Sequence, residues 1–456
     1  MITEKEFCDK NNIKDSKNIW YFHHYATPPS MSGLARPSFL GKKIVEKGNK
    51  VSVFAASYLH YSDENIIKDN RKYIIDKSTE LNYIFIKTPS SIKGYGARII
   101  NMFIFYKRLY SVTKKYKKET GKPDIIIASS PHPLTMIAGI KISRKLGIPC
   151  ICEIRDFWPE VFFMGGVLRE NSLIGKILLK GENWIYKKAD AMIFLKEGDT
   201  EYIKEKKWDL QNGGNIDLEK CYYINNGVDC KEFRESMNKN KIKDEDLDNE
   251  KFKIVYTGAI RPVNNIDNIL DAAKLLKDRK NIEFLVYGTG NQVERLKKRI
   301  EEEKIENLKM KGYVEKKYIP YILSKASVNI LNYSSTKYNW KRGNSSNKIF
   351  EYMASGKPII STIQMGYCPL KKYECGITVD ECTAKGLANA IKKILDMPKD
   401  DYYKMCNNAK EAANEYDYKK LSEKLENVIK ITCDKYNCKG EINERKDKST
   451  ISSNRQ

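Results

Sequence analysis

Lys348 and Glu351 stand three residues apart in Gly343-Asn-Ser-Ser-Asn-Lys-Ile-Phe-Glu-Tyr-Met-Ala-Ser-Gly-Lys-Pro-Ile-Ile360, a polar loop that opens a short helix and runs into a buried strand. Asn344, Ser345 and Ser346 are cap-type residues. The free backbone N–H groups of a first helical turn, here including Asn347, carry partial positive charge suited to phosphate oxygens. Lys348 adds a full charge. With Ile349, Phe350 and Met353 forming the apolar face, Lys348 and Glu351 share the opposite one. Glu351 repels phosphate but accepts hydrogen bonds from sugar hydroxyls. The stretch therefore reads as a seat for an anion with a polyhydroxylated neighbour. A core helix with ordinary polar caps fits the same residues when they are taken alone.

Other polar loops follow strand-like runs. Asn18-Ile-Trp-Tyr-Phe22 precedes a Gly/Pro loop that holds Ser32 and Gly33, a helix expected from about Leu34 to Lys47, and a strand from Lys50. This is a βαβ unit whose ligand would sit where the first strand ends. Gly33 permits close approach there and Arg36 brings charge, although the spacing is not a dinucleotide fingerprint and such a loop often only turns the chain. Asp124-Ile-Ile-Ile-Ala-Ser-Ser130 and Pro149-Cys-Ile-Cys-Glu-Ile-Arg155 are continuous apolar runs of the kind buried on both faces of a parallel sheet. Their carboxyl ends bring His132, Glu153, Arg155, Asp156 and Glu160 toward one crevice. Arg155 beside Asp156 also reads as a structural ion pair.

A second alternation starts at Phe252-Lys-Ile-Val-Tyr-Thr257. It has a turn led by Gly258 that carries Arg261 and Asn264, a strand ending in Gly288-Thr-Gly290, and two further strands before the opening stretch. The fold class expected is α/β, with two Rossmann-like domains facing across a cleft. The boundaries expected are an N-terminal domain at 1–237, a charged linker at 238–250, a C-terminal domain at 251–415, a helix at 416–435 and a disordered tail at 436–456. Asp244-Glu-Asp246 resembles a metal-binding triplet but suits a solvated linker better. The aromatic helix Gly96–Lys118 ends in a basic cluster and is a candidate for resting on an anionic bilayer. A partly buried helix with a solvated basic end is the competing reading.

Among 456 residues, 82 Lys+Arg against 59 Asp+Glu leave a net charge of +23. Such a balance favours an anionic partner. Met1 to Lys10 has no apolar signal core and no run is long enough to span a bilayer, so a cytoplasmic chain is expected, peripheral at most on the inner face of the plasma membrane. Eleven scattered cysteines without CxxC pairs read as reduced thiols, and four histidines make a structural zinc site improbable. No signature for nucleic-acid binding accompanies the dispersed basic residues.

Asn225-Asn-Gly-Val-Asp229 with Phe233, the Gly258 turn, the Gly288-Thr-Gly290 turn, Lys311-Gly-Tyr-Val314 and Asn347-Lys-Ile-Phe-Glu-Tyr-Met-Ala-Ser-Gly-Lys-Pro358 occur in the order seen in glycosyltransferase family 4. The chain resembles the bacterial capsule and O-antigen branch of that family, where Arg155-Asp-Phe-Trp-Pro-Glu160 has a counterpart. The resemblance extends to about residue 432. It implies a GT-B fold and retaining transfer from a nucleotide-diphosphate sugar, which serves as co-substrate, with no cofactor and no metal. It also implies a C-terminal donor domain, in which Glu351 holds the donor ribose, and an N-terminal acceptor domain, which makes Ser32, Gly33 and Arg36 acceptor-side residues. The turn after Gly258 and the loop before Asn347 then surround the diphosphate, and Gly258, Arg261, Asn264, Gly288, Gly290, Asn344, Ser345, Ser346, Asn347 and Lys348 are donor-binding with Glu351.

The chain departs from the family at Gly343, where a Glu is common, and at Ala259 and Asn264, where Arg and Lys are. Diphosphate charge then falls to Lys348 and Arg261. A common His near the transferred sugar is replaced by Arg155, leaving Arg155, Asp156 and His132 as catalytic candidates. The acceptor expected is a glycan or a polyprenyl-diphosphate-linked saccharide, with no nucleic acid involved. A nucleotide-sugar 2-epimerase of the same architecture is the rival enzyme, and a non-enzymatic nucleic-acid binder the rival of another class.

Overall fold

A computed structural model describes the backbone of residues 16–31, 33–59, 64–91, 94–334 and 340–453, and side chains except at Tyr95 and from residue 439 onward. The chain divides into two units. Unit 1 comprises Met1–Leu195, Tyr202–Ile224 and Leu421–Gln456; unit 2 comprises Lys196–Glu201 and Asn225–Lys420.

In unit 1 the apolar runs become strands β1 (Asn18–Phe22), β2 (Lys50–Ala56), β3 (Tyr58–Leu59), β4 (Glu64–Asn65), β5 (Tyr73–Asp76), β6 (Asn82–Ile86), β7 (Ile125–Ser130), β8 (Cys150–Ile154), β9 (Ala191–Phe194) and β10 (Cys221–Tyr223). The main sheet has the order β10-β9-β8-β7-β1-β2-β6-β5, and β3 pairs with β4 apart from it. Every pair in the main sheet is parallel except β5 with β6. β1 lies between β2 and β7, so the connections turn in opposite directions there and the carboxyl ends of β1 and β7 open a crevice. Trp20, Phe22, Phe54 and Tyr116 form the aromatic centre of the core, with neighbouring ring centres 5.0 to 6.5 Å apart. Gly139 lets helix Pro133–Leu146 press onto β7, because a Cβ there would stand 2.4 Å from that of Ala128.

Helix Tyr95–Thr120 buries Phe105, Leu109, Val112 and Tyr116 along one stripe, which is the partly buried alternative. Its exposed apolar residues lie in its first third, remote in sequence from Lys117 and Lys118.

Unit 2 holds β11 (Phe252–Thr257), β12 (Ile282–Tyr287), β13 (Leu308–Gly312), β14 (Val328–Leu331), β15 (Ile359–Ser361) and β16 (Gly376–Thr378), all parallel, in the order β13-β12-β11-β14-β15-β16. Its switch point lies between β11 and β14.

Two stretches differ from expectation. Residues 238–250 are packed into unit 2. Asp244 caps a short helix, Glu245–Asp248, and the Lys311 ammonium meets Asp244 at 2.8 Å and Asp246 at 2.7 Å. Asp244 and Asp246 are thus neutralised by Lys309 and Lys311 projecting from β13, and Leu247 anchors the segment in the core. The segment from 436 continues a helix, Tyr418–Ser453, instead of a coil. Its Lys/Glu-rich composition extends a helix that is already anchored, and extension needs no new nucleus.

Candidate active site

In unit 2 the two glycine turns and the Lys348 helix converge. β11 ends at Gly258 (φ 141°) and β12 at Gly288 (φ 146°), and the turns nest because neither residue carries a Cβ. A Cβ on Gly288 would stand 1.8 Å from the Gly258 carbonyl oxygen, and one on Gly290 2.1 Å from that of Ile260. A Cβ on Gly258 would lie 2.5 Å from Lys348 Nζ, so the ammonium rests against the bare turn. Lys348 reaches that position from helix Asn347–Ala354, whose buried Ile349, Phe350, Tyr352 and Met353 fix its rotation. The Tyr352 hydroxyl ties the helix to β11 through Thr257, receiving a backbone N–H bond at 3.2 Å.

The ammonium donates to the Tyr256 hydroxyl at 2.8 Å and lies 4.5 Å and 5.2 Å from the ring centres of Tyr256 and Tyr333. No carboxylate pairs with it among the described residues. Burial pushes its pKa down to about 7, with Glu351 pulling the other way. Burial likewise raises the Glu351 carboxyl, opposed by Lys316 and Lys348. Among the described residues the Glu351 side chain has no hydrogen-bond or ion-pair partner. The site thus holds an underused cation and, one helical turn along, an underused acceptor.

The loop before the helix is held from behind. Asn225 Nδ2 donates to the Asn344 carbonyl at 3.1 Å and Asn226 Nδ2 to that of Ser345 at 2.7 Å. Asn344 Oδ1 accepts from the Ser346 N–H at 2.7 Å, while its buried Nδ2 has no partner among the described residues. Ser346 occupies the N-cap, yet its hydroxyl meets the Tyr333 hydroxyl at 2.6 Å and does not cap the helix. The Ser346 N–H is therefore spent internally. Those of Asn347 and Lys348, in the first turn, have no intrahelical acceptor. Arg261 is exposed beside the Gly258 turn. Asn264 is buried and braces the turn, its carbonyl accepting from Asn332 Nδ2 at 2.7 Å.

In unit 1 the carboxyl ends of β1, β7 and β8 gather His23, His24, His132 and Arg155. Arg36 is not a ligand-facing residue. It is buried, donating from Nε to Glu153 Oε2 at 2.9 Å and from Nη2 to the Ile224 carbonyl at 2.8 Å. Tyr21 and Ser129 donate to Glu153 Oε1 at 2.9 and 2.7 Å. Burial alone would raise the Glu153 pKa, but the charges of Arg36 and Arg155 overcome it and hold it at about 2. Glu153 pairs with Arg36, and Arg155 and Asp156 make no ion pair with each other. Asp156 is exposed. Gly33 packs on Thr27, where a Cβ would come within 2.3 Å, and Ser32 lies outside the described residues.

His132 ends a relay that sequence reasoning did not find. Asn101 Nδ2 donates to the Pro89 carbonyl, which turns Oδ1 toward His24 Nε2 at 2.6 Å. His24 Nε2 must then carry the proton, so its Nδ1 accepts, at 2.6 Å, the proton on His132 Nε2. That leaves the lone pair on His132 Nδ1, which has no partner among the described residues. Burial, then His24 and His23, hold the His132 pKa well below the usual range, so the ring stays neutral and its free nitrogen accepts hydrogen bonds. The adjacent pair His23-His24 was the available signal. Asn101, inside an apolar helix, gave none, and Tyr256 and Tyr333 were hidden among many tyrosines.

The profile described as Glycosyltransferase Family 4 matches residues 39–232, and that described as Glycosyl transferases group 1 matches residues 237–416. A curated relative, "Probable glycosyltransferase WbjE" of Pseudomonas aeruginosa, is 22% identical over 265 residues; the match takes in 58% of this chain and 62% of that protein. Among solved structures, HepE of Anabaena in complex with UDP has a TM-score of 0.61 at 13% identity, covering 91% of this chain and 99% of that one. WaaG, a glycosyltransferase involved in lipopolysaccharide biosynthesis, has a TM-score of 0.59 at 14% identity, with 90% and 99% covered. One profile falls on each sheet-bearing half, and the solved chains match about nine tenths of this one in fold: the chain belongs to glycosyltransferase family 4 and has the GT-B fold.

Proposed function

We propose that the chain transfers a sugar, with retention at the anomeric carbon, from a nucleotide-diphosphate sugar to a glycan or a polyprenyl-diphosphate-linked saccharide during cell-surface polysaccharide assembly. The observation that carries this reading is the Lys348 ammonium, lodged against the bare Gly258 turn with no carboxylate partner among the described residues. A diphosphate placed there meets one full charge and the N–H groups of Asn347 and Lys348, with Arg261 available from the exposed edge. Charge that builds on the leaving group as the glycosidic bond breaks is stabilised by these fixed donors. The departing phosphate takes the acceptor hydroxyl's proton, and no separate base is required. The solved HepE complexes with UDP and UDP-glucose support a nucleotide-sugar donor for this architecture, and the WaaG likeness supports a surface-glycan role. Glu351 holds the donor ribose.

Incubation with a nucleotide sugar tests the reading. Nucleotide diphosphate is expected to be released only after acceptor is added, with the donor's anomeric configuration preserved in the product by NMR. Interconversion of the donor without acceptor would make the chain a 2-epimerase instead. Glu351→Ala is expected to weaken nucleotide-sugar binding on the order of tenfold to a hundredfold, the scale of a lost hydrogen bond to a charged group. Calorimetric titration showing unchanged affinity would remove Glu351 from the ribose.

The Lys348 pKa adds a pH signature. A bound dianion favours the ammonium, so affinity is level below pH 7 and falls as pH rises above about 7. The fall should approach tenfold per pH unit until the raised pKa of the complex is reached. Titrating UDP-glucose, whose doubly esterified diphosphate stays a dianion throughout, from pH 6 to 9 checks it, and Lys348→Met should flatten the curve.

A further inference from the structure

We infer that unit 1 rests on an acidic lipid bilayer through a surface formed by helices Trp158–Met164 and Leu173–Lys188, the segment between them, and the first third of helix Tyr95–Thr120. Scattered exposed apolar residues are ordinary, but contiguous ones mark an interaction surface. Within helix Leu173–Lys188 the two halves behave oppositely. Glu182, Ile185 and Tyr186 are buried, whereas Leu173 (77% exposed), Ile174 (60%) and Ile177 (58%) lie open along one face. Ser172 caps the helix at the Gly175 N–H, so this face is held by the fold and is not a frayed end. The preceding segment adds Val161, Met164 and Val167, the last 74% exposed.

A second exposed group, Ile99, Ile100 and Phe103, lies near the start of helix Tyr95–Thr120. Successive ring contacts in the interior link the helices that carry the two groups: Phe105 to His24 at 4.4 Å, His24 to His132 at 4.7 Å, His132 to Trp158 at 6.5 Å and Trp158 to Phe162 at 5.1 Å. Both groups therefore flank the carboxyl ends of β1 and β7.

Charge selects the partner. Exposed Arg169, Lys176 and Lys180 are set among the apolar residues, and Glu170, the acid between them in sequence, is neutralised by Lys206 at 2.5 Å. Arg98 and Lys107 flank the second group, with the Lys107 ammonium 4.6 Å from the Phe103 ring centre. Apolar side chains that can enter the acyl boundary, beside lysines whose stems reach back to lipid phosphates, fit an anionic membrane. No helix among the described residues is long and apolar enough to cross one, so the contact lies along the surface.

The inference rests on the proposed lipid-linked acceptor only for its purpose. Vesicle binding is measured without donor or acceptor, and transfer to a soluble acceptor is measured without vesicles, so the two readings fail separately. The full chain is sedimented with vesicles of phosphatidylcholine alone or containing phosphatidylglycerol. Binding is expected only to the acidic vesicles and should decline with salt. Ile174→Glu with Ile177→Glu should lower partitioning at least about tenfold. Lys176→Gln with Lys180→Gln should lower it on the order of fivefold per charge removed. Circular dichroism and soluble transfer should be unchanged in both. Equal partitioning of wild type and both variants would overturn the inference. So would light scattering showing a wild-type dimer that the Ile174/Ile177 variant dissolves, because the face would then be a protein interface.

Discussion

Lys348→Ala is expected to lower kcat/KM on the order of a hundred- to a thousandfold, the loss typical when one fixed charge-stabilising donor is removed from a leaving group. Three observations set the size. The ammonium has no carboxylate partner among the described residues. It lies against a turn that only glycine can form at that φ. Its lowered pKa marks a charge that protein surroundings solvate poorly. An incoming diphosphate supplies the missing counter-charge, and the gain grows as negative charge moves onto the leaving oxygen. The loss should therefore fall more on kcat than on KM. Lys348→Arg is expected to rescue little, because the ammonium sits against the Gly258 turn with the Tyr256 and Tyr333 ring centres 4.5 and 5.2 Å away, and a guanidinium is a broader, planar group. Steady-state kinetics with saturating acceptor would decide. Wild-type turnover in the alanine variant would take the diphosphate away from this helix.

Arg36→Met is expected to destabilise unit 1 by about 3–5 kcal/mol, since it leaves the buried Glu153 carboxylate without its bonded cation. The two side chains are 3% and 1% exposed, so solvent cannot replace the lost partner. The pH dependence follows from the depressed Glu153 pKa of about 2. A carboxyl held below its unfolded value contributes stability that is complete above about pH 4.5 and is lost as pH falls toward 2. The variant should lack that contribution. Its deficit against wild type is therefore full at neutral pH and shrinks on acidification through that window. Chemical denaturation at pH 7 and at pH 3 measures both parts. An equal deficit at the two pH values would mean that Arg36 acts by packing alone.

Much of this was legible in the residues. Continuous apolar runs gave the central parallel strands, and glycines at strand ends marked the turns of unit 2. Lys348 and Glu351 could be placed on one helix face by spacing. Other features are invisible locally. Arg36 reads as a ligand residue because it opens a helix after a glycine loop. Only the register of β8 reveals that Glu153 arrives beside it, in a sheet position where a carboxylate must be neutralised. The charged stretch 238–250 reads as solvated until the lysines of β13 are set opposite it. The histidine relay needs Asn101, a polar residue in an apolar helix whose partner is 77 positions away. Each miss is a long-range pairing of charge or hydrogen bond, which periodicity does not encode.

The closing helix carries a practical lesson for expression work. Profile similarity stops at 416, yet Leu421, Leu425, Val428, Ile429 and Cys433 are buried and count with the first unit, hundreds of residues upstream. A plasmid trimmed at the end of the recognised homology would strip a lid from the opposite end of the gene product. Its insolubility would be misread as a defect of the half that was cut.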